Sequence, residues 1–439
     1  MTDKKQDEAS TSYYKSNKIP VNDSASGSAA HNEKIGTLTS LRFPNFRWLF
    51  IANILGNAGQ WIQQVTLNWL VYDMTGSGTI LGTINMVRAV SSLSMIPVSG
   101  ILIDRFKRRH IFLFENSVLF IITLLLGLLL VSGHSHISYL FIFSLLGGLV
   151  QTVNQALRQV LVFDMVPRSH TPNAVALIQT GWSIMRSFGP LLGGFLILWF
   201  GPGGNFLVQA GAYALIFISI VNIQFQSQIT ETVHGSPLQS FKEGISYIRK
   251  EHVTRTFMFM GFVLPLLIAP IYTILPPIFA VKVFGDNSGK ILGFLMGAVG
   301  IGGIIGGIVT ASLGHMQRRG ILQLSALFLQ SITLIAFAFC SNLWMALFFL
   351  MLSGFFEIIF MTTNQTLLQL SIPDNLRGRI TSVVNLNSAL APMGGLIAGT
   401  ISDFLGGPKV ATIILATITA VIAASAFLFS STIRNYKLN

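Results

Sequence analysis

Three ionisable side chains, Glu357, Arg186 and Arg88, lie inside long apolar stretches, where a charge is expensive and normally faces a cavity or a partner. Glu357 stands near the middle of its stretch, and a carboxyl in that setting is suited to load and release a proton. A guanidinium stays charged, so Arg186 and Arg88 cannot carry that proton. They can hold an anionic group of a ligand or clamp Glu357, and the plainer alternative is a permanent pair that ties helices together. Amides supply further polar groups. Asn53, Asn57, Gln60, Gln64 and Asn68 recur at intervals of four, three, four and four, which is one face of a helix. Gln151, Asn154, Gln155 and Arg158 form a second such face. Lipid penalises unsatisfied polar groups, so each face must meet a cavity or another helix. Glu357, Arg186, Arg88, Asn57, Gln60, Gln64 and Asn154 are therefore the candidate substrate and proton pathway.

A different chemistry is written in Gly100 to Arg109, G-I-L-I-D-R-F-K-R-R. One acid and four bases crowd a short turn between two apolar runs. Such a turn must sit in water, and Asp104 is placed to cap a neighbouring helix start, where the helix dipole favours negative charge. The bases are placed to pair with acids on other helix ends, for example Glu115 or Asp164.

The elements that carry these groups are membrane helices. Of 439 residues, 51% are hydrophobic and only 10% charged, against about 25% charged in a soluble domain. The net charge of +12 comes from bases in short loops, which is the pattern of membrane topology rather than of nucleic-acid binding. The single Cys340 makes no intramolecular disulfide. With roughly 20 apolar residues per crossing, twelve spans are predicted at 47–72, 79–103, 111–132, 138–160, 174–199, 205–227, 255–281, 290–313, 321–341, 343–367, 380–403 and 409–431. Of the 28 Lys and Arg, Lys282, Lys290 and Lys409 fall in connections on one side and Arg88 and Arg186 inside spans. The remainder collect on the other side with both termini, which are therefore expected in the cytoplasm.

Residues 1–40 are polar, lack a signal-peptide core and read as a disordered cytoplasmic tail. The predicted fold is all-α, with two pseudo-symmetric six-helix bundles at 41–227 and 255–432, a cytoplasmic linker at 228–254 and a cytoplasmic C-terminus at 433–439. Within the linker, Phe241, Ile245 and Ile248 suggest a short amphipathic helix over 241–249. The halves repeat. Ser77 to Gly82 matches Ser288 to Gly293, and Arg108-Arg109 matches Arg318-Arg319. Gly148 with Pro167 matches Gly354 with Pro373, and Gly189-Pro190 matches Ala391-Pro392. A parallel repeat of this kind places a binding site between the halves near the midplane.

On these residues the chain resembles the major facilitator superfamily over about residues 41–432. Gly100, Asp104, Arg105, Arg108 and Arg109 match its loop motif G-x-x-x-D-R-x-G-R-R, with Lys107 in place of the second Gly. Gly189, Pro190, Gly193 and Gly194 are similar to the G-P-x-x-G-G element of drug:proton antiporters. Arg42-x-Pro44-x-Phe46-Arg47, Trp69 to Tyr72, Arg158-Gln159 and Asp164-x-Val166-Pro167 resemble the branch that includes macrolide efflux proteins and the enterobactin exporter. The resemblance implies a secondary transporter in the inner membrane that exports a drug-, macrolide- or siderophore-like molecule by alternating access. It also implies a conformational latch at 100–109 and a bend at 189–194. A lipid or lysolipid flippase and an uptake transporter of the same fold are the alternatives. No phosphate-binding G-x-x-x-x-G-K-[ST] occurs, so a proton gradient is the expected energy source. No catalytic residue, metal site or cofactor is expected. The expected partners are a small molecule and the bilayer, with the chain acting as a monomer.

Overall fold

The computed structural model describes residues 36–223, 225, 245–286, 288–312, 318–373, 376, 380, 383–384 and 387–434. Among these residues all regular structure is helical. The membrane helices are α1 (Pro44–Thr75), α2 (Gly78–Arg105), α3 (Arg108–Val131) and α4 (Ile137–Asp164), then α5 (171–200) and α6 (202–222). The second half holds α7 (His252–Lys282), α8 (Lys290–Ser312), α9 (Arg319–Phe339), α10 (Leu343–Leu370), α11 (Asn387–Phe404) and α12 (Gly407–Phe429). Helices α5 and α6 run without a loop, and the break between them is Gly201, at φ 67° and ψ 174°. Only glycine reaches that backbone region at low cost, and Pro202 behind it starts a new helix at the position where a missing N–H does no harm.

Nine described helices are long and apolar enough to cross a membrane. The 52-residue stretch Thr171–Asn222 is two crossings. Helix α1, diluted by its amide stripe, and the short α11 complete the twelve predicted from sequence. Helices α1 to α6 pack on one another, as do α7 to α12, and the halves meet mainly along α2 with α11 and α5 with α8. Both ends of the described chain lie on one side of this assembly, here the terminal side. The turns at Gly76, Gly133, Gly201, Gly285 and Gly406 lie on the far side.

The edges of the described residues bear on the predicted tails. Residues 1–35, the first part of the predicted tail, lie outside the described residues. Ser40 at its end is buried and its hydroxyl donates to Asn173 Oδ1 at 2.6 Å, pinning the chain to the start of α5. Within the predicted surface helix, residues 245–250 are helical. Ile245 and Ile248 pack against the core of the second half, and 241–244 lie outside the described residues. Ile433 is buried against Gly320 of α9.

Small residues set the distances between helices. Helix α8 uses two glycine faces. Gly293, Gly297 and Gly300 face α5, where a Cβ would meet Gly194, Leu191 and Ser187, while Gly302 and Gly306 lie against backbone carbonyls of Met351 and Phe355 on α10. Helix α7 is the irregular one. Pro265 opens a π-turn at Leu264–Ile268, and Pro270, Pro276 and Pro277 break the regular hydrogen bonding further along.

A Cβ on Gly302 would stand 1.8 Å from the Met351 carbonyl, whereas one on Gly307 would meet only Ile358 Cγ2 at 3.9 Å. Overpacking a tight contact costs about 1–3 kcal/mol. Gly302→Leu should therefore lower the melting temperature of detergent-solubilised protein clearly, and Gly307→Leu should leave it nearly unchanged. Equal melting temperatures for the two variants would contradict this packing.

Candidate functional site: a cavity between the halves

Glu357 lies fourteen residues into α10 and Arg186 fifteen into α5, so both sit at mid-helix. The structure brings them together. Arg186 Nη2 donates to Glu357 Oε1 at 2.5 Å, joining the first half of the chain to the second. The carboxylate side chain is 6% exposed and the guanidinium 24%. Trp182, one turn earlier on α5, lies under the guanidinium with its ring centroid 5.8 Å from the Arg186 carbon. Among the described residues the other terminal nitrogen of Arg186 has a thioether partner alone, Met361 Sδ, at 3.7 Å. A sulfur is a weak acceptor, so one edge of the fork keeps donor capacity.

The pair lines a cavity of about 580 Å³ bounded by α1, α5, α7, α8 and α10. Trp61 and Tyr272 give it aromatic surface, and Thr180, Ser183, Ser187 and Thr273 give it hydroxyls. Arg186 and Glu357 are the only charged side chains among its described lining residues. Tyr272 is oriented from behind. Its hydroxyl bonds the Ser353 hydroxyl and accepts from Gln330 Nε2 at 3.1 Å. A mostly apolar hollow with a few convergent polar groups is the usual form of a small-molecule site.

The cavity is closed on the far side by backbone contact. A Cβ on Gly194 would fall 2.4 Å from Gly293 Cα, and one on Gly399 would fall 2.1 Å from the Gly78 carbonyl. Toward the terminal side Ile184, Ile304 and Ile308 are exposed and Gly100 has nothing within 4 Å of where a Cβ would be. The cavity thus opens toward the terminal side.

Other residues singled out from sequence fall elsewhere. Arg88 does not reach Glu357. It stays inside the first bundle, where its backbone carbonyl touches Gly148 of α4 and its side chain is within electrostatic range of Tyr213 on α6. Asn154 is also internal to that bundle. Its amide donates to Glu115 Oε1 at 2.9 Å. Glu115 is not a helix-end acid available to the charged turn, because it lies seven residues into α3 and is 2% exposed. Beside it, Arg158 donates to the Ala52 carbonyl at 3.2 Å, packs on Gly56 and lies over the Phe112 ring. Periodicity identified these faces but could not say that they meet each other inside one bundle.

The stripe on α1 divides. Asn53 bonds its own helix at the Leu49 carbonyl, and Asn68 donates to the Thr273 carbonyl of α7 at 2.8 Å. Asn57, Gln60 and Gln64 are half-buried and make no side-chain hydrogen bond with a described residue, and they lie outside the Arg186–Glu357 cavity lining. Gln63, which sequence reasoning missed, bonds Gln209 of α6 at 2.7 Å. Trp61 was also missed, since a tryptophan in a membrane helix is usually not a ligand contact. In the charged turn Arg108 pairs with Asp164, and Asp104, Arg105 and Arg109 are exposed. The G-P-x-x-G-G segment keeps helical dihedrals, and its glycines serve contact. Gly189 abuts Trp61, Gly193 abuts Val65, and Gly194 abuts Gly293.

Twelve helices in two packed halves around a cavity closed at one end define the architecture of a secondary transporter. The transmembrane secretion effector family of the major facilitator superfamily matches residues 35–438, and the chain belongs to it. It is 28% identical over 363 residues to the staphyloferrin A transporter of Staphylococcus aureus, covering 82% of this chain and 90% of that protein. It is 24% identical over 372 residues to the multidrug efflux pump Tap of Mycolicibacterium fortuitum, covering 82% and 89%. The enterobactin exporter EntS of Shigella boydii is 22% identical over 346 residues, covering 77% and 80%. Among solved structures, a bacterial homologue of the human lysosomal transporter Spinster, inward-facing and unoccupied, superposes with a TM-score of 0.73 at 14% identity, covering 90% of this chain and 99% of that one. The family and these relatives are transporters, not enzymes.

Removing either member of a buried ion pair strands the other charge and is costly, whereas removing both is far less so. Arg186→Gln and Glu357→Gln should each lower the melting temperature, and the double variant should lose less than the two losses added. Strict additivity would mean the two side chains are not paired.

Proposed function

We propose that this protein is a proton-coupled exporter of a small organic molecule, siderophore- or drug-like, that works by alternating access. The observation that carries the reading is the Arg186–Glu357 contact at 2.5 Å between α5 and α10, inside the cavity. Glu357 has two partners to choose from, a proton or a guanidinium. When ionised it holds Arg186 and ties the halves across the cavity. When protonated it releases Arg186, and the tie weakens. A ligand suited to one of these states is excluded from the other, which couples its passage to the movement of a proton. The hydroxyls of Thr180, Ser183, Ser187 and Thr273 and the rings of Trp61 and Tyr272 would receive that ligand. The likeness to the staphyloferrin A transporter, to EntS and to Tap supports a siderophore or drug as cargo and export as the direction.

The excess of Lys and Arg in the connections of the terminal side supports a cytoplasmic location for that side. The cavity is then inward-open and the far-side glycine contacts form the closed outer gate. In this state the turn at 100–109 is disengaged. Asp104 is exposed, and it would dock on a helix start of the second half only when the cytoplasmic side closes. The Arg108–Asp164 pair fixes the turn to α4 meanwhile.

Two experiments test this reading. In proteoliposomes with an imposed pH gradient, Glu357→Gln should abolish uphill transport while substrate binding at fixed pH and downhill exchange persist. A Gln variant that still concentrates substrate against its gradient would make Glu357 a structural residue. Separately, Asp104→Asn should leave the protein in the membrane and slow exchange at least about tenfold, the worth of one hydrogen bond to a charged group. Wild-type exchange rates in that variant would remove the latch role.

A further inference from the structure

We infer that Asp403, at the far-side end of α11, is a second gate latch, which holds the far side shut and releases when it opens. The carboxylate crosses from the second half to the first and takes over the start of α2. One oxygen accepts from the Gly78 N–H at 2.8 Å, and the other from the Thr79 N–H at 2.8 Å and the Ser77 hydroxyl at 2.7 Å. Helix starts carry unsatisfied N–H groups and partial positive charge, so a carboxylate is their best partner. Here the acid and the helix belong to different halves. The bonds therefore exist only while the halves touch on this side.

Comparison of the two repeats shows that the arrangement is particular to α2. The matching helix start in the second half is α8, and its acid is local. Asp286, two residues before Ser288, accepts from the Ile291 N–H at 2.7 Å and the Leu292 N–H at 3.2 Å. The position that matches Asp286 in the first repeat is Thr75, which cannot supply a carboxylate. Helix α2 thus lacks an acid of its own and borrows one from α11. The Ser77 hydroxyl also caps α2 locally, accepting from the Ile80 N–H at 3.3 Å, but the carboxylate bonds at this helix start depend on the two halves touching, whereas those at the start of α8 lie within one half.

The contact also sits where closure is tightest. Just inside it, the Gly78 and Gly399 backbones touch, and a Cβ on Gly82 would fall 2.6 Å from Leu396 Cα. Glycine contacts of this kind are short-ranged and non-directional. The carboxylate adds directional, charge-assisted bonds that break over a small separation. Helix α2 then has an acid-based latch at each end. Asp403 engages its start on the far side, and Asp104 near its end is exposed in the same structure. Only one of the two can be engaged at a time.

This inference rests on alternating access but not on proton coupling or on the identity of the cargo. The test uses spin-label pairs in the full-length protein with Cys340 replaced by Ser. Ser135 and Ser341 report the far side, and Ser169 and Ser312 the terminal side, and all four are exposed. Asp403→Asn and Asp403→Ala should shift populations about tenfold toward a longer 135–341 distance, with a shorter 169–312 distance appearing in step. Asp104→Asn should move both distances in the opposite direction. Local damage to α11 would change the far-side distance alone, so the linked shortening on the other side separates a latch from a merely structural residue. Distance distributions in Asp403→Ala identical to wild type would overturn the inference. So would lengthening on the far side without shortening on the terminal side. Loss of uphill transport in Glu357→Gln bears on coupling only and leaves this test intact.

Discussion

A guanidinium and a carboxylate held together at mid-helix, one from each half, are the constraint around which this molecule is arranged. Placing either charge alone at that depth is costly, so α5 and α10 must approach closely enough for the contact at 2.5 Å. That approach requires the small residues that line α5 and α8. Gly194 against Gly293 and Ser187 against Gly300 let backbones come together where larger side chains would hold them apart. The cavity is what remains on the terminal side of these contacts, and its polar lining comes from the same helices. Packing and chemistry are therefore settled together, and neither can be altered at α5 without disturbing the other.

The fold was largely legible in the sequence because its signals are local. Apolar runs of spanning length, punctuated by basic turns, count the helices without reference to their neighbours. The repeat of Ser77 to Gly82 in Ser288 to Gly293 announces the two halves. Helix α1 was counted as well, at 47–72, although the amides that make its stripe dilute its apolar character. The break at Gly201 fell between the predicted spans 174–199 and 205–227 although no polar loop marks it, because Gly201-Pro202 is a local signal of a turn between helices.

The site was legible in part. Charge inside an apolar run is a strong signal, and Glu357 and Arg186 carry it. The same signal picked out Arg88, which is not in the cavity lining, because a helix position fixes a face and a depth but not the neighbour that the face meets. Asn154, Glu115 and Arg158 are at depths that suit a cavity, and they make their side-chain bonds inside the first bundle instead. Asp403 gave no signal at all. It reads as an ordinary acid at a helix end, and its meaning comes only from Gly78 and Thr79, more than three hundred residues away.

The polar network inside the first bundle has a mechanical consequence. Asn154 with Glu115, Arg158 with the Ala52 carbonyl, Gln63 with Gln209 and Asn116 with the Tyr213 carbonyl stitch α1, α3, α4 and α6 to one another. These groups are buried, so sliding any one helix would orphan several of them at once. The second half has cross-helix bonds of its own, Gln323 with Asn364 and Gln330 with Tyr272, but there α7 carries a π-turn and four prolines that interrupt its backbone hydrogen bonding. Among the helices that wall the cavity, α7 therefore has the fewest regular backbone bonds to lose when its shape changes.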